Sequence, residues 1–316
     1  MRSNRFRMLV ACAAVLALVG AACGDDDDST ATDDDAPAGA VEFSFVPLDA
    51  GGPNTKAALT KGDIDIALLF SSDGAISAND WVALEDDKGL QPVDNFIPAV
   101  NTASDTPEID AALNAVSKEL TVEAMQEMVA KVSIDGENPA DVAAEFLEDV
   151  TVPEGATGDL TVGSANFAES EITAELFAQA LETSGASVEK KLQFGARDAY
   201  IPALISGELD VVPEFVGTLA YFFDPNADVT SDLEASLAVS RSLASAKGVT
   251  LLEPATADSV NTFVVTQETA DEYDLETISD LKDVDDSLVL GGPPECPERP
   301  LCLQGLISTY GLKFKS

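Results

Sequence analysis

The sequence predicts an α/β fold, on three observations: predicted strands alternate with helices, one helix–glycine–strand unit occurs twice, and the body is large enough for two modest α/β units. Asp159 to Phe167 (DLTVGSANF) reads as a strand running into AESEITAELFAQALETS, where Ile172, Leu176, Phe177, Ala180 and Leu181 form one apolar helical face and Gly185 ends the helix. Asn261 to Thr266 is a β-branched and aromatic strand that leads into an acidic helix around Glu268 to Tyr273. Thr106 to Val132 reads as one helical stretch, with Ile109, Leu113, Val116 and Leu120 at helical spacing. Asp141 to Val150 adds a shorter helix.

The echo joins Ala58-Leu-Thr-Lys-Gly62-Asp-Ile-Asp65-Ile to Ala203-Leu-Ile-Ser-Gly207-Glu-Leu-Asp210-Val. Each copy reads as a helix end, a glycine cap and a buried strand, and each places a phenylalanine, Phe70 or Phe215, eight residues after the glycine. Two origins fit. Helix–turn–strand connections draw on similar residues everywhere, or the chain holds two related lobes that offer strand ends to a shared cleft, where open α/β sheets bind ligands.

Three arginines, Arg2, Arg5 and Arg7, precede the apolar run Met8 to Val19 and the small residues Gly20, Ala21 and Ala22. Residues 1–22 therefore read as a secretory signal peptide, since the run falls short of the ~20 residues that a helix needs to span a bilayer. Small residues before Cys23 resemble a bacterial lipobox, although Gly20 stands where Leu or Val is preferred; Cys23 would be the lipid anchor. Residues 23–40 are rich in Asp and carry no large apolar side chain, so they read as a disordered tether.

With 57 acidic and 17 basic residues the formal charge is −40, which repels nucleic acid and excludes it as a partner. Histidine is absent, so Ser-His-Asp catalysis and histidine zinc sites cannot be built. An enzyme would have to work with carboxylates such as Asp63 and Asp65, which have many structural uses; the expectation is a binding protein without cofactor or metal. Cys296 and Cys302, in the proline-stiffened PPECPERPLC, read as a local disulfide of an exported chain.

LTVGSANFAESEI, YIPALISGELDVVPEFVGT, LVLGGPPECPERPLC, YGLKFKS, FVPLDAGG and GDIDIALLFSSDG together resemble the substrate-binding domain of glycine betaine/choline importers, the OpuAC or ProX type. The resemblance runs from Val41 to Ser316. It implies a two-lobed type II periplasmic-binding-protein fold, each lobe a mixed sheet flanked by helices, that closes on a quaternary-ammonium osmolyte and delivers it to an ABC permease and its ATPase. The order of pieces departs from the family, in which LTVGSANF comes first and KFKS runs into FVPLDAGG. A circular permutation, with residues 150–158 joining the ancestral ends, or a fragment of a tandem array would each explain this. Under permutation, one lobe comprises residues 41–98 plus 271–316 and the other 99–270.

A quaternary ammonium has no N–H to donate, so it is held by aromatic faces, carboxylates and apolar fit. The resemblance places Phe70, Phe215, Phe263 and the neighbouring Phe167 at loop mouths, where the family often has tyrosine. Ser71, Asp73, Asn166, Glu169, Thr218 and Asn261 are the expected polar partners from the same loops. A Glu169 facing the ligand would favour a cation such as choline over a zwitterion. A sensor or scavenging lipoprotein for another small solute remains the alternative function.

Overall fold

The computed structural model describes residues 42–49, 51–284 and 287–315. The expected signal peptide, Cys23 and the tether lie outside the described residues.

Among the described residues ten strands form two five-stranded sheets. The first lobe begins with β1 (Ser44–Pro47), α1 (Pro53–Lys61), β2 (Ile66–Phe70), α2 (Gly74–Ala78) and β3 (Val82–Ala83). The chain then crosses to the second lobe and enters it as β4 (Phe96–Asn101), followed by α3 (Pro107–Glu119), α4 (Val122–Ser133) and α5 (Pro139–Leu147). That lobe continues through β5 (Asp159–Ala165), α6 (Ala168–Ser184), β6 (Ser187–Gly195), α7 (Arg197–Ser206), β7 (Val211–Phe215), α8 (Val216–Phe223), α9 (Leu233–Ser245) and β8 (Val249–Leu251). A second crossing returns the chain to the first lobe as β9 (Asn261–Val265), α10 (Gln267–Tyr273) and β10 (Val289–Gly292).

The sheets share one plan. Their orders are β1-β10-β2-β9-β3 and β6-β5-β7-β4-β8. In each, the first three strands are parallel, and the fourth is antiparallel to both of its neighbours. That antiparallel strand, β9 or β4, is the one by which the chain arrives from the other lobe. β4 therefore belongs wholly to the second sheet and β9 to the first, which moves the crossings ahead of the expected boundaries at 98 and 271. The reason is pairing: Phe96 to Val100 has its partners on Val211 to Phe215, and Asn261 has its partner on Phe70.

The central strands are buried on both faces, so their sequences, FIPAVN, IALLF and VVPEF, run apolar instead of alternating. Pro98 and Pro213 stand opposite each other in the β4–β7 ladder, so the two missing N–H donors fall at one register position. The echo is structural. Gly62 and Gly207 both cap a helix in the left-handed conformation, φ 71° and 78°, and both lead into the third strand of the respective sheet.

The expected helix over Thr106 to Val132 is two helices. Leu120 leaves helical geometry, and the hydroxyl of Thr121 accepts from the N–H of Ala124 to start α4. Cys296 and Cys302 are bridged, with Cα atoms 5.3 Å apart. Among the described residues no helix is long and apolar enough to cross a membrane.

The crossings run side by side. Asn95 pairs with Asp258, the N–H of Phe96 donates to the carbonyl of Ala257 (3.0 Å), and Ser259 N–H donates to the carbonyl of Asp94 (3.1 Å). Outside them, α2 of the first lobe packs on α4 of the second so closely that a Cβ added at Gly74 would run into the backbone of Ala130. Gly74→Ala is therefore expected to destabilise the protein by about 1–3 kcal/mol, the usual cost of overpacking, as read by chemical denaturation. An unchanged midpoint would show that the two helices separate freely.

Candidate functional site

A cleft of about 410 Å³ opens between the lobes, lined by Phe70, Asp94, Phe167, Glu169, Arg197, Phe215, Thr218 and Ser259. Every one of them stands at the end of an element or on a crossing. Phe70 ends β2 and is 44% exposed, unusual for so large an apolar side chain. Phe167 precedes the first turn of α6 and is likewise exposed, while Phe215 ends β7 and is largely covered. Phe167 stacks on Phe215 with ring centroids 6.2 Å apart, and Phe96 backs Phe215 from the core at 4.6 Å. The second lobe thus presents a layered aromatic wall, and the first presents a single ring.

Glu214 organises that wall. It is fully buried and accepts from Arg197 Nε (3.0 Å) and Nη2 (2.9 Å), from Tyr200 Oη (2.8 Å) and from the N–H of Phe215 (3.0 Å). Removing a carboxylate from water is costly, and such partners offset that cost. Burial works against the charge on Arg197, but the adjacent Glu214 outweighs it and holds the guanidinium above its ordinary range. Burial, with Glu214 beside it, pushes the Tyr200 phenol up. Arg197 Nη2 also donates to Thr218 Oγ1 at 2.9 Å, which ties α7 to the first turn of α8.

Asp94, on the first crossing, accepts from the N–H groups of Gly217 and Thr218, both at 2.8 Å, and so caps α8 from outside its own lobe segment. Glu169 accepts from Ser72 Oγ of the other lobe at 3.2 Å, and Ser72 also meets Ser259 Oγ at 3.0 Å. Burial raises the carboxyls of Glu169 and Asp258, each offset in part by a serine hydroxyl, Ser72 or Ser71. Asp94 is pushed up to about 6, chiefly by burial and against the pull of its N–H partners and Arg197.

Of the residues singled out from sequence, Phe70, Phe167, Glu169, Phe215 and Thr218 meet at this cleft, and Asn261 lines a cavity beside it. Four do not. Phe263 is a core residue with 0% exposure, because its side chain faces the apolar layer of the first lobe instead of the strand end. Ser71 is committed to the crossing, donating to Asp258 Oδ1 at 2.6 Å and accepting from the N–H of Val260. Asp73 caps α2 and pairs with Lys56 at 2.6 Å. Asn166 is exposed beside the cleft without lining it. Asp94, Arg197 and Ser259 were missed. Arg197 did carry a signal, since a cation at the first position of a helix opposes the helix dipole and calls for another partner. Among the described residues no group of carboxylates or cysteines could hold a metal ion.

Two lobes joined by paired crossings, with a cleft at their strand ends, define a type II periplasmic-binding-protein fold. The sequence profile for the substrate binding domain of the ABC-type glycine betaine transport system, OpuAC, matches residues 38–149 and 158–316. The chain belongs to this family. It is 29% identical to the glycine betaine-binding protein YehZ of Escherichia coli strain K12 over 174 residues, 54% of this chain and 57% of that protein. The chain thus spans little more than half the length of that relative. Structural likenesses are remote. NikA from Brucella suis, solved with Fe(III)-EDTA, has a TM-score of 0.35 at 14% identity over 68% of this chain and 55% of its own. The murein tripeptide binding protein MppA of Escherichia coli has 0.33 at 11% identity over 71% and 53%.

The Asp94 carboxyl has a direct consequence for stability. With its folded pKa raised to about 6 from an unfolded value of about 3.9, it holds its proton longer in the folded state. Its cost is therefore absent below about pH 4, grows as the pH rises and is complete above about pH 6. Asp94→Asn is expected to gain stability over the parent through that window and to keep the gain at neutral pH, as measured by denaturation at pH 4, 5, 6 and 7. A difference that does not change with pH would contradict it.

Proposed function

We propose that the protein is the extracytoplasmic solute-binding subunit of an ABC importer. It captures a quaternary-ammonium osmolyte, glycine betaine, choline or a close relative, between its lobes and delivers it to a permease and its ATPase. A lipid on Cys23 holds it at the outer face of the cell membrane, and residues 23–40 give it reach.

The observation that carries this reading is the set of three phenylalanine rings, supplied by both lobes, around a cleft whose other walls include Asp94 and Glu169. A quaternary nitrogen cannot donate a hydrogen bond, so aromatic faces hold it and nearby carboxylates act on it through charge alone. Among the described lining residues Arg197 alone is cationic, and Glu214 already pairs with it. A ligand carboxylate would find Arg197, yet the lining as a whole favours a cation such as choline. Relatedness to a glycine betaine-binding protein supports the same ligand class.

We also read the chain order as a circular permutation. Support comes from the family match, which breaks between residues 149 and 158, where the joint is placed. Phe43 and Phe314 lie as parallel neighbours with rings 5.8 Å apart, so the segments that the family joins end to end sit side by side.

Replacing Phe70 or Phe167 with Ala is expected to weaken binding of the best ligand by about two- to thirty-fold, the range of a cation–π contact worth roughly 0.5–2 kcal/mol. Replacement by Tyr keeps the π face and is expected to keep binding. Calorimetry against glycine betaine, choline, carnitine, proline betaine and ectoine tests this. Unchanged affinity in both Ala variants, or no binding of any ligand in the panel, would overturn the assignment.

A further inference from the structure

Beyond Phe70 the cleft continues into a second cavity of about 290 Å³. The two share Phe70, Asp94, Thr218 and Ser259, so a ligand in one can extend into the other. The new walls are Gln91, Asn261, Tyr221 and Leu301, together with the apolar Pro92, Val93 and Val260.

These walls are held in place. Asp86 accepts the N–H groups of Leu90 (2.9 Å) and Gln91 (2.7 Å), and it also takes the phenol of the buried Tyr310. Gln91 Nε2 donates to the carbonyl of Leu301 at 2.8 Å, and Asn261 Nδ2 donates to Gln91 Oε1 at 3.3 Å. Leu301 adjoins Cys302, which is bridged to Cys296. The cavity is thus a built wall rather than a gap between mobile side chains.

Its chemistry differs from that of the aromatic cleft. Among its described lining residues Asp94 alone carries charge, and no lysine or arginine is present. An anionic tail would meet Asp94 with no cation among the cavity's described lining residues, whereas an alkyl tail would cover Leu301, Val93 and Val260. The amides of Gln91 and Asn261 each have a second N–H to offer an ester carbonyl.

Resting on the quaternary-ammonium reading above, we infer that the protein accepts ligands that carry a short neutral acyl tail, as in an ester of choline. The ammonium lies among Phe70, Phe167 and Phe215, and the tail enters the second cavity.

Calorimetry on the whole exported chain with choline, acetylcholine, propionylcholine and butyrylcholine tests this. Affinity is expected to rise about three- to four-fold per methylene from acetyl to butyryl, the effect of burying ~0.8 kcal/mol of methylene. Leu301→Trp fills the cavity and is expected to leave choline binding within about two-fold while abolishing the rise. Leu301→Phe serves the same end should the indole disturb folding. Flat or falling affinity along the esters in a protein that binds choline would overturn this inference alone. Failure of choline, glycine betaine and all the esters would overturn the quaternary-ammonium reading with it.

Discussion

The fully buried carboxylate of Glu214 is the constraint around which the aromatic wall of the cleft is arranged. It sits next to Phe215 at the end of a central strand, where no water can solvate it, so Arg197, Tyr200 and a backbone N–H must. Meeting that need fixes α7 against β7. Arg197 then reaches Thr218, Thr218 meets Asp94, and Asp94 stands on the crossing between lobes. One buried charge thereby links the aromatic wall to the segment that joins the two halves.

Each sheet receives its antiparallel strand directly after a crossing, and each ends its third strand in a phenylalanine. This recurrence explains why the short echo around Gly62 and Gly207 was informative. A left-handed cap and a doubly buried strand are local demands that leave a local signature, and both copies deliver a ring to the strand end. Most helices were legible for the same reason. The expected single helix over Thr106 to Val132 was not, because its apolar spacing passes through Leu120 without interruption and only the cap at Thr121 marks the break.

The lining of the candidate cleft was legible where it lies at strand ends and obscure where it depends on contacts distant in sequence. Phe70, Phe167 and Phe215 could be placed from strand-then-loop patterns. Phe263 carried the same pattern, but its side chain takes the inward face of β9. Ser71 and Asp73 are polar residues beside the cleft whose atoms are already spent on Asp258, Val260 and Lys56. Asp94 and Ser259 come from crossings with no periodic pattern, so nothing local reveals that they face the cleft. Physically, a periodic pattern reports which face is apolar; it does not report which polar group across the molecule has claimed a donor.

The central claim is that both lobes apply aromatic faces to one desolvated cation. A crystal structure of the protein with bound choline tests it most directly. The quaternary nitrogen is expected within about 6 Å of the ring centroids of Phe70 from one lobe and of Phe167 or Phe215 from the other, with Asp94 or Glu169 nearby. Choline seated away from these rings, or held by one lobe alone, would contradict the account.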